Sequence, residues 1–139
     1  MIGEGISHRG LISEVFHFPF YVTGAVTAAD VGKAVTYDTA TAKAVKLAGA
    51  GDRVIGVLVS YEDRIVEGVK VGTVALKGGF GMTKAAGTAA IVVGDTVVGS
   101  ATAGHVGPRR NAGDTANEPD LSSNVVTAVS GDDIEVLIL

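Results

Sequence analysis

The sequence predicts an all-β fold, a small barrel or sandwich, on three observations. From Val22 onward, short runs rich in Val, Ile and Thr are separated by Gly, Asp, Thr and Ala, the pattern of strands joined by turns. Val54 to Ser60 is apolar on both parities, Val54 and Leu58 on one and Ile55, Val57 and Val59 on the other, which marks a strand buried on both faces. No window sustains a 3.6-residue apolar period over the length of an ordinary helix.

The elements follow in order. Lys33 to Tyr37 and Lys43 to Leu47 flank Asp38-Thr-Ala-Thr-Ala42 and predict a hairpin with a longer loop. Val54 to Ser60, Val69 to Lys77, Ile91 to Val98, Asn124 to Ser130 and Ile134 to Leu139 bring the strands to at least seven. At most one short helix is expected, over Thr83 to Ile91, where Ala85, Ala86, Ala89 and Ala90 favour helix and Gly87 weakens it. Gly78-Gly-Phe-Gly81-Met-Thr-Lys84 lacks phosphate-loop spacing and a strong helix after it, so it reads as a Gly-rich connection between strands. Val31-Gly-Lys-Ala-Val35 is echoed 62 residues later by Val93-Gly-Asp-Thr-Val97, each followed by Ala-Thr-Ala. With Val, Gly and Ala so frequent, the echo predicts no more than one turn-then-strand unit used twice.

Two segments stand apart. Residues 1–21 are expected to form an extended N-terminal arm, with the barrel domain over 22–139. If Glu14 to Val22 is extended, Phe16, Phe18 and Phe20 share one face with Glu14 and Val22, and Val15, His17, Pro19 and Tyr21 share the other. Pro19 removes a ladder donor, so the stretch is an edge strand or a free arm. It either covers the domain's own core as a first strand or docks its Phe stripe on a neighbour. The loop at 107–124 is too polar to bury and too rich in Gly and Pro to be regular, so it is flexible or contacts a partner. The interface candidates are Phe16, Phe18, Phe20, Tyr21 and His17, with Arg9, Arg109 and Arg110 as charged contacts.

Composition narrows the function. The 139 residues fit one domain, but hydrophobic residues at 47% include only 5% aromatics and no Trp, and are dominated by 22 Val and 19 Ala beside 20 Gly. Gly and Ala bring little side-chain area, so the fold is expected to be completed by neighbours in an assembly. Of seven Phe and Tyr, four lie between Phe16 and Tyr21. The absence of Cys excludes disulfides, thiolate metal sites and a Cys nucleophile. A formal charge of -4 argues against a nucleic-acid partner. The longest apolar stretch, Ala85 to Gly99, is interrupted by Thr88, Asp95 and Thr96 and is too short for a spanning helix. Glu4, His8, Arg9 and Glu14 do not read as a secretory leader, so a mature soluble chain without a membrane partner is expected.

Chemistry is not arranged anywhere in the chain. His8, His17 and His105 lack metal-ligand spacing. The acids of Glu62-Asp63 and Asp132-Asp133 are adjacent, so on a strand they point to opposite faces. Gly5-Ile-Ser7-His-Arg-Gly10 misses the nucleophile-elbow spacing by one residue. The expectation is a protein that is not an enzyme and takes no metal or cofactor.

Four stretches carry a resemblance: Val26-Thr-Ala-Ala-Asp-Val-Gly-Lys-Ala-Val-Thr-Tyr-Asp38, Ala44-Val-Lys-Leu-Ala48, Gly51-Asp-Arg-Val-Ile-Gly-Val-Leu58 and Glu67-Gly-Val-Lys-Val-Gly-Thr-Val-Ala-Leu76. Together they resemble the capsid decoration, or cement, proteins of tailed bacteriophages, over roughly residues 25 to 100. The likeness supplies no active-site residues. It implies a small β-barrel or β-tulip-like body with an N-terminal arm, usually homotrimeric and less often dimeric or monomeric. It also implies the major capsid protein as partner and the outer capsid surface of the virion as location. The function expected is structural reinforcement of the shell. The alternative is a β-barrel module of a phage tail or surface protein that binds carbohydrate or a small ligand. Having no Trp and only three Tyr weighs against that alternative, which would need Tyr37 or Tyr61 as a sugar platform.

Overall fold

Val-rich runs and positive-φ glycines build strands and turns throughout the computed structural model, which describes residues 16–109 and 124–138. Five strands close into a barrel: β1 (His17–Val22), β2 (Ala34–Tyr37), β3 (Ala44–Leu47), β4 (Gly56–Arg64) and β5 (Val69–Ala75), in the spatial order β1-β3-β2-β4-β5. All neighbours are antiparallel except β1 and β3, which run parallel from Tyr21↔Ala44 to Val22↔Val45. Beyond the barrel come β6 (Gly78–Thr83), β7 (Val97–Gly99), β8 (Val106–Pro108), β9 (Asn124–Ser130) and β10 (Asp133–Ile138). These pair as a three-stranded sheet, β6-β10-β9, and a two-stranded ladder, β7-β8.

Two apolar clusters hold the strands. Val22, Val35, Val45, Leu58 and Val74 fill the barrel. The opposite faces of β2 and β4 turn Ala34 and Val57 outward into a second cluster with Val97, Val106, Val126, Ile134 and Val136 beneath the small sheet. The start of β4 is therefore buried on both sides, as its two apolar parities require. A register shift between Leu58 and Ser60 then breaks the alternation, and Val59 is exposed. Gly72 faces the barrel interior opposite Phe20, and a Cβ there would meet Leu58 Cδ1 at 2.8 Å and the Ser60 carbonyl oxygen at 2.8 Å.

The second half of the chain repeats the first. In β1 and β5 the pairs are His17↔Ala75, Phe18↔Val74, Pro19↔Thr73, Phe20↔Gly72 and Tyr21↔Val71. Adding 62 to every number gives Gly79↔Leu137, Phe80↔Val136, Gly81↔Glu135, Met82↔Ile134 and Thr83↔Asp133, the register of β6 and β10. The hairpin β2-β3 recurs as β7-β8 with its pairing shifted by one residue, Val97 meeting Pro108 where Val35 meets Leu47, and the parallel β1-β3 contact survives as a single bridge between Lys84 and Val106. Gly32 and Gly94, at φ 96 and 94, enter the two hairpins alike, each donating its N–H to a strand carbonyl, Leu58 and Val126 respectively. The pentapeptide echo is thus the visible part of a repeated five-strand unit, a larger relation than the sequence alone predicts. The second unit is not closed, and its core borrows the outer wall of the first.

Several expectations change. Residues 17–21, assigned to the arm, are barrel strand β1, because Val22 and half-buried Phe20 are needed in the barrel core. The barrel ends at Ala75, short of the expected 139. Residues 1–15 and 110–123, the rest of the arm and most of the 107–124 loop, lie outside the described residues. No helix forms over Thr83 to Ile91: Gly87 sits at φ 78 and the Thr88 hydroxyl donates to the Ala85 carbonyl, closing a turn. The helical turn falls instead at Ala28–Asp30, a 3-10 turn with a capping box. Of the strand expected over Ile91 to Val98, only the end is strand, since Asp95 accepts the Val92 N–H and folds the preceding residues into a turn.

Candidate interaction surfaces

Strand direction gathers the starts of β1, β3 and β4 and the ends of β2 and β5 at one end of the barrel. The large side chains are concentrated there. Register puts Phe18 beside Val74 and Phe20 beside Gly72, so both lean over the barrel axis. Phe20 is half-buried and meets Tyr37 edge-on, with ring centroids 6.0 Å apart. Phe16, Phe18 and Tyr37 remain 48%, 49% and 50% exposed. The Lys77 ammonium lies 5.4 Å from the centre of the Phe16 ring, a cation–π contact. Next to this mouth, a cleft of about 260 Å³ opens between barrel and small sheet, lined by Tyr37, Arg53, Ile55, Leu76 and Ile138.

The other end carries the β4-β5 hairpin tip. Two successive turns form it: the Glu67 N–H donates to the Arg64 carbonyl at 3.1 Å and the Gly68 N–H to that of Ile65 at 3.2 Å, with Gly68 at φ 70. Ile65 and Val66 at the tip are 82% and 101% exposed. Arg64 lies 3.4 Å from both Glu62 and Glu67, and the hydrogen bond to Glu67, with both carboxylate charges, holds its guanidinium pKa above the usual value.

On the outer wall, a wider cleft of about 450 Å³ runs along β1, β5 and β4. Tyr21, Val71 and Thr73 form its floor, with Lys43, Glu62 and Glu67 at the rim. Tyr21 is 47% exposed.

The perturbed carboxylates hold loops. The Lys33 ammonium at 2.7 Å and the Thr27 N–H at 2.8 Å both donate to Asp30, keeping its pKa below the usual value. The Thr23 hydroxyl at 2.6 Å and the Ala40 N–H at 2.9 Å do the same for Asp38. Among the described residues no group of three or more His, Cys, Asp and Glu could hold a metal ion. No helix among them is long and apolar enough to cross a membrane.

Compared with protein-family models, with curated proteins and with solved structures, the chain matches none.

Of the residues singled out from the sequence, the structure brings Phe16, Phe18 and Phe20 together at the barrel mouth and turns Tyr21 to the outer wall. His17 is exposed on the same strand. Arg109 lies elsewhere, half-buried just past β8, its N–H donating to the Thr96 carbonyl. Arg9 and Arg110 lie outside the described residues. Sequence reading missed Tyr37 as part of the mouth, and the Ile65-Val66 tip. The tip was within reach, because two β-branched residues directly before Glu67-Gly68 fall where a turn must be.

Proposed function

We propose that this chain is a structural virion protein that binds the outer surface of a bacteriophage capsid and reinforces it, with the major capsid protein and further copies of itself as partners. The observation that carries this reading is the stretch from Phe16 through β1, which leaves Phe16 and Phe18 at the mouth and Tyr21 on the adjoining outer wall about half exposed in a chain with only seven Phe and Tyr. Covering them would bury roughly 300 Å² of ring surface, about 7 kcal/mol before an association cost of similar size. One such contact is weak. Many copies bound to a repeating shell make it strong, and a protein that binds only the mature shell stabilises that state by mass action.

The test is cosedimentation of purified capsids with the wild-type chain and with a Phe16→Ser/Phe18→Ser/Tyr21→Ser variant whose fold is confirmed by circular dichroism. Occupancy should drop to background for the variant. Undiminished occupancy would overturn the assignment of this surface.

A second reading, a barrel module that binds a carbohydrate or small ligand, draws on the outer-wall cleft, where Tyr21 lies among polar and charged groups. Saturable glycan binding by the wild type, abolished in Tyr21→Ala, would favour it over capsid decoration.

A further inference from the structure

We infer that the β4-β5 hairpin tip of one copy of this chain seats in the mouth cleft of another copy, a head-to-tail contact between unlike surfaces. The inference rests on the self-association in the function proposed above and is independent of capsid binding.

The tip has the wrong chemistry for a solvated turn. Such positions favour Gly, Asn, Asp and Ser, yet Ile65 and Val66 stand side by side with almost their whole surface in water. The cleft has room for two such side chains and a partly apolar lining: about 260 Å³, with Tyr37, Val54, Ile55, Leu76 and Ile138 beside the polar Arg53 and Asn124. Charge agrees as well. Glu62, Asp63 and Glu67 outnumber Arg64 and Lys70 near the tip, whereas Arg53 is the charged residue of the cleft and Lys77 stands by the neighbouring Phe16 ring.

The tip cannot reach the cleft of its own chain. Ile55 precedes β4 and Ile65 follows it, so nine residues of strand separate the two features, roughly 30 Å at 3.3 Å per residue. Lying at opposite ends of one barrel, tip and cleft are satisfied by successive copies, and contacts of this kind close into a ring or run on as a filament.

The experiment uses the full chain without capsids and reads mass by sedimentation velocity over a concentration series. The wild type should self-associate. A tip variant, Ile65→Ser/Val66→Asp, and a cleft variant, Tyr37→Ser/Arg53→Glu, should each be monomeric, with association weakened about 100-fold or more. Mixed in equal amounts, the two should form a one-to-one dimer and stop there, because one intact tip and one intact cleft then remain to meet. Exposed Arg53→Glu alone should weaken association without disturbing the fold, and Glu67→Arg added to it should restore part of the loss. A monomeric wild type, variants that keep the wild-type mass, or a mixture that stays monomeric would each overturn the inference. Loss of capsid binding by the β1 variant is a separate readout and leaves this one untouched.

Discussion

Replacing Gly72 with Ala tests how the barrel interior is packed. The new Cβ would lie 2.8 Å from Leu58 Cδ1, 2.8 Å from the Ser60 carbonyl oxygen and 3.0 Å from Val22 Cγ2. Ordinary carbon contacts are about 3.5–4.0 Å, so three neighbours must each give way by roughly half an ångström or more. Overpacking of this kind costs about 1–3 kcal/mol, and the gain from stiffening the unfolded chain returns about 0.4–1 kcal/mol. Because the Ser60 contact is backbone and cannot swing aside, the cost falls at the upper end of its range, and the net loss is about 2 kcal/mol. With an unfolding entropy of about 2.1 cal/mol/K per residue, the 139-residue chain loses about 3 °C of Tm per kcal/mol, so a drop of about 5–7 °C is expected. Thermal unfolding followed by circular dichroism measures it. Because one of the three contacts is a Leu58 methyl, Leu58→Val should relieve part of the strain, leaving a double-mutant coupling of about 0.5–1 kcal/mol. A neutral or stabilising Gly72→Ala, or strict additivity with Leu58→Val, would show that Gly72 does not face the interior in the way described.

Three further outcomes follow from the same geometry. Asn124 is buried, its amide accepting the Val97 N–H at 3.0 Å and donating to the Val97 carbonyl at 3.2 Å, so Asn124→Ala should cost about 2–3 kcal/mol in chemical denaturation at unchanged m. Asp30, held by Lys33 and Thr27, and Asp38, held by Thr23 and Ala40, have folded pKa values below that of a free carboxylate. Their stabilisation is therefore present above their unfolded pKa and is lost as pH falls through the folded values. Asp30→Asn should cost about 1 kcal/mol at neutral pH and flatten the acid limb of the stability curve, a change that a pH series of melts would show. Deleting residues 1–20 should unfold the barrel by removing most of β1, so a truncation that melts like the full chain would contradict the closed topology.

The strand pattern was legible wherever a strand buries β-branched residues of its own. Asn124–Ser130 agrees with its sequence reading end for end, and β2, β3, β5 and β10 do so nearly. Gly78–Thr83 was not legible as a strand, because Gly-Gly-Phe-Gly has poor intrinsic preference for one. Its ladder with β10 imposes the structure, and the repeat of the β1-β5 register shows that the pairing belongs to the unit. The aromatic residues of the candidate surface were legible as a cluster along the chain. Their exposure was not, since Phe20 is drawn inward opposite Gly72 while Phe18, two residues earlier, projects beyond the barrel mouth. The cleft beside them joins Tyr37, Ile55 and Ile138, residues far apart in sequence that meet only through the closure of the barrel and the packing of the second sheet.

The shared wall between the two units also governs how the chain can be divided. Ala34 and Val57 belong to β2 and β4 yet pack in the cluster beneath the second unit, so the second half lacks part of its core, and the first half, which holds the barrel core complete, is left alone with an apolar outer wall in water. Cut in the short link at Leu76-Lys77, the chain should yield two fragments that are unstable when separate and that fold on being mixed. Reporter halves fused to such fragments would be brought together by that cooperative step, making the junction a natural site for a split sensor.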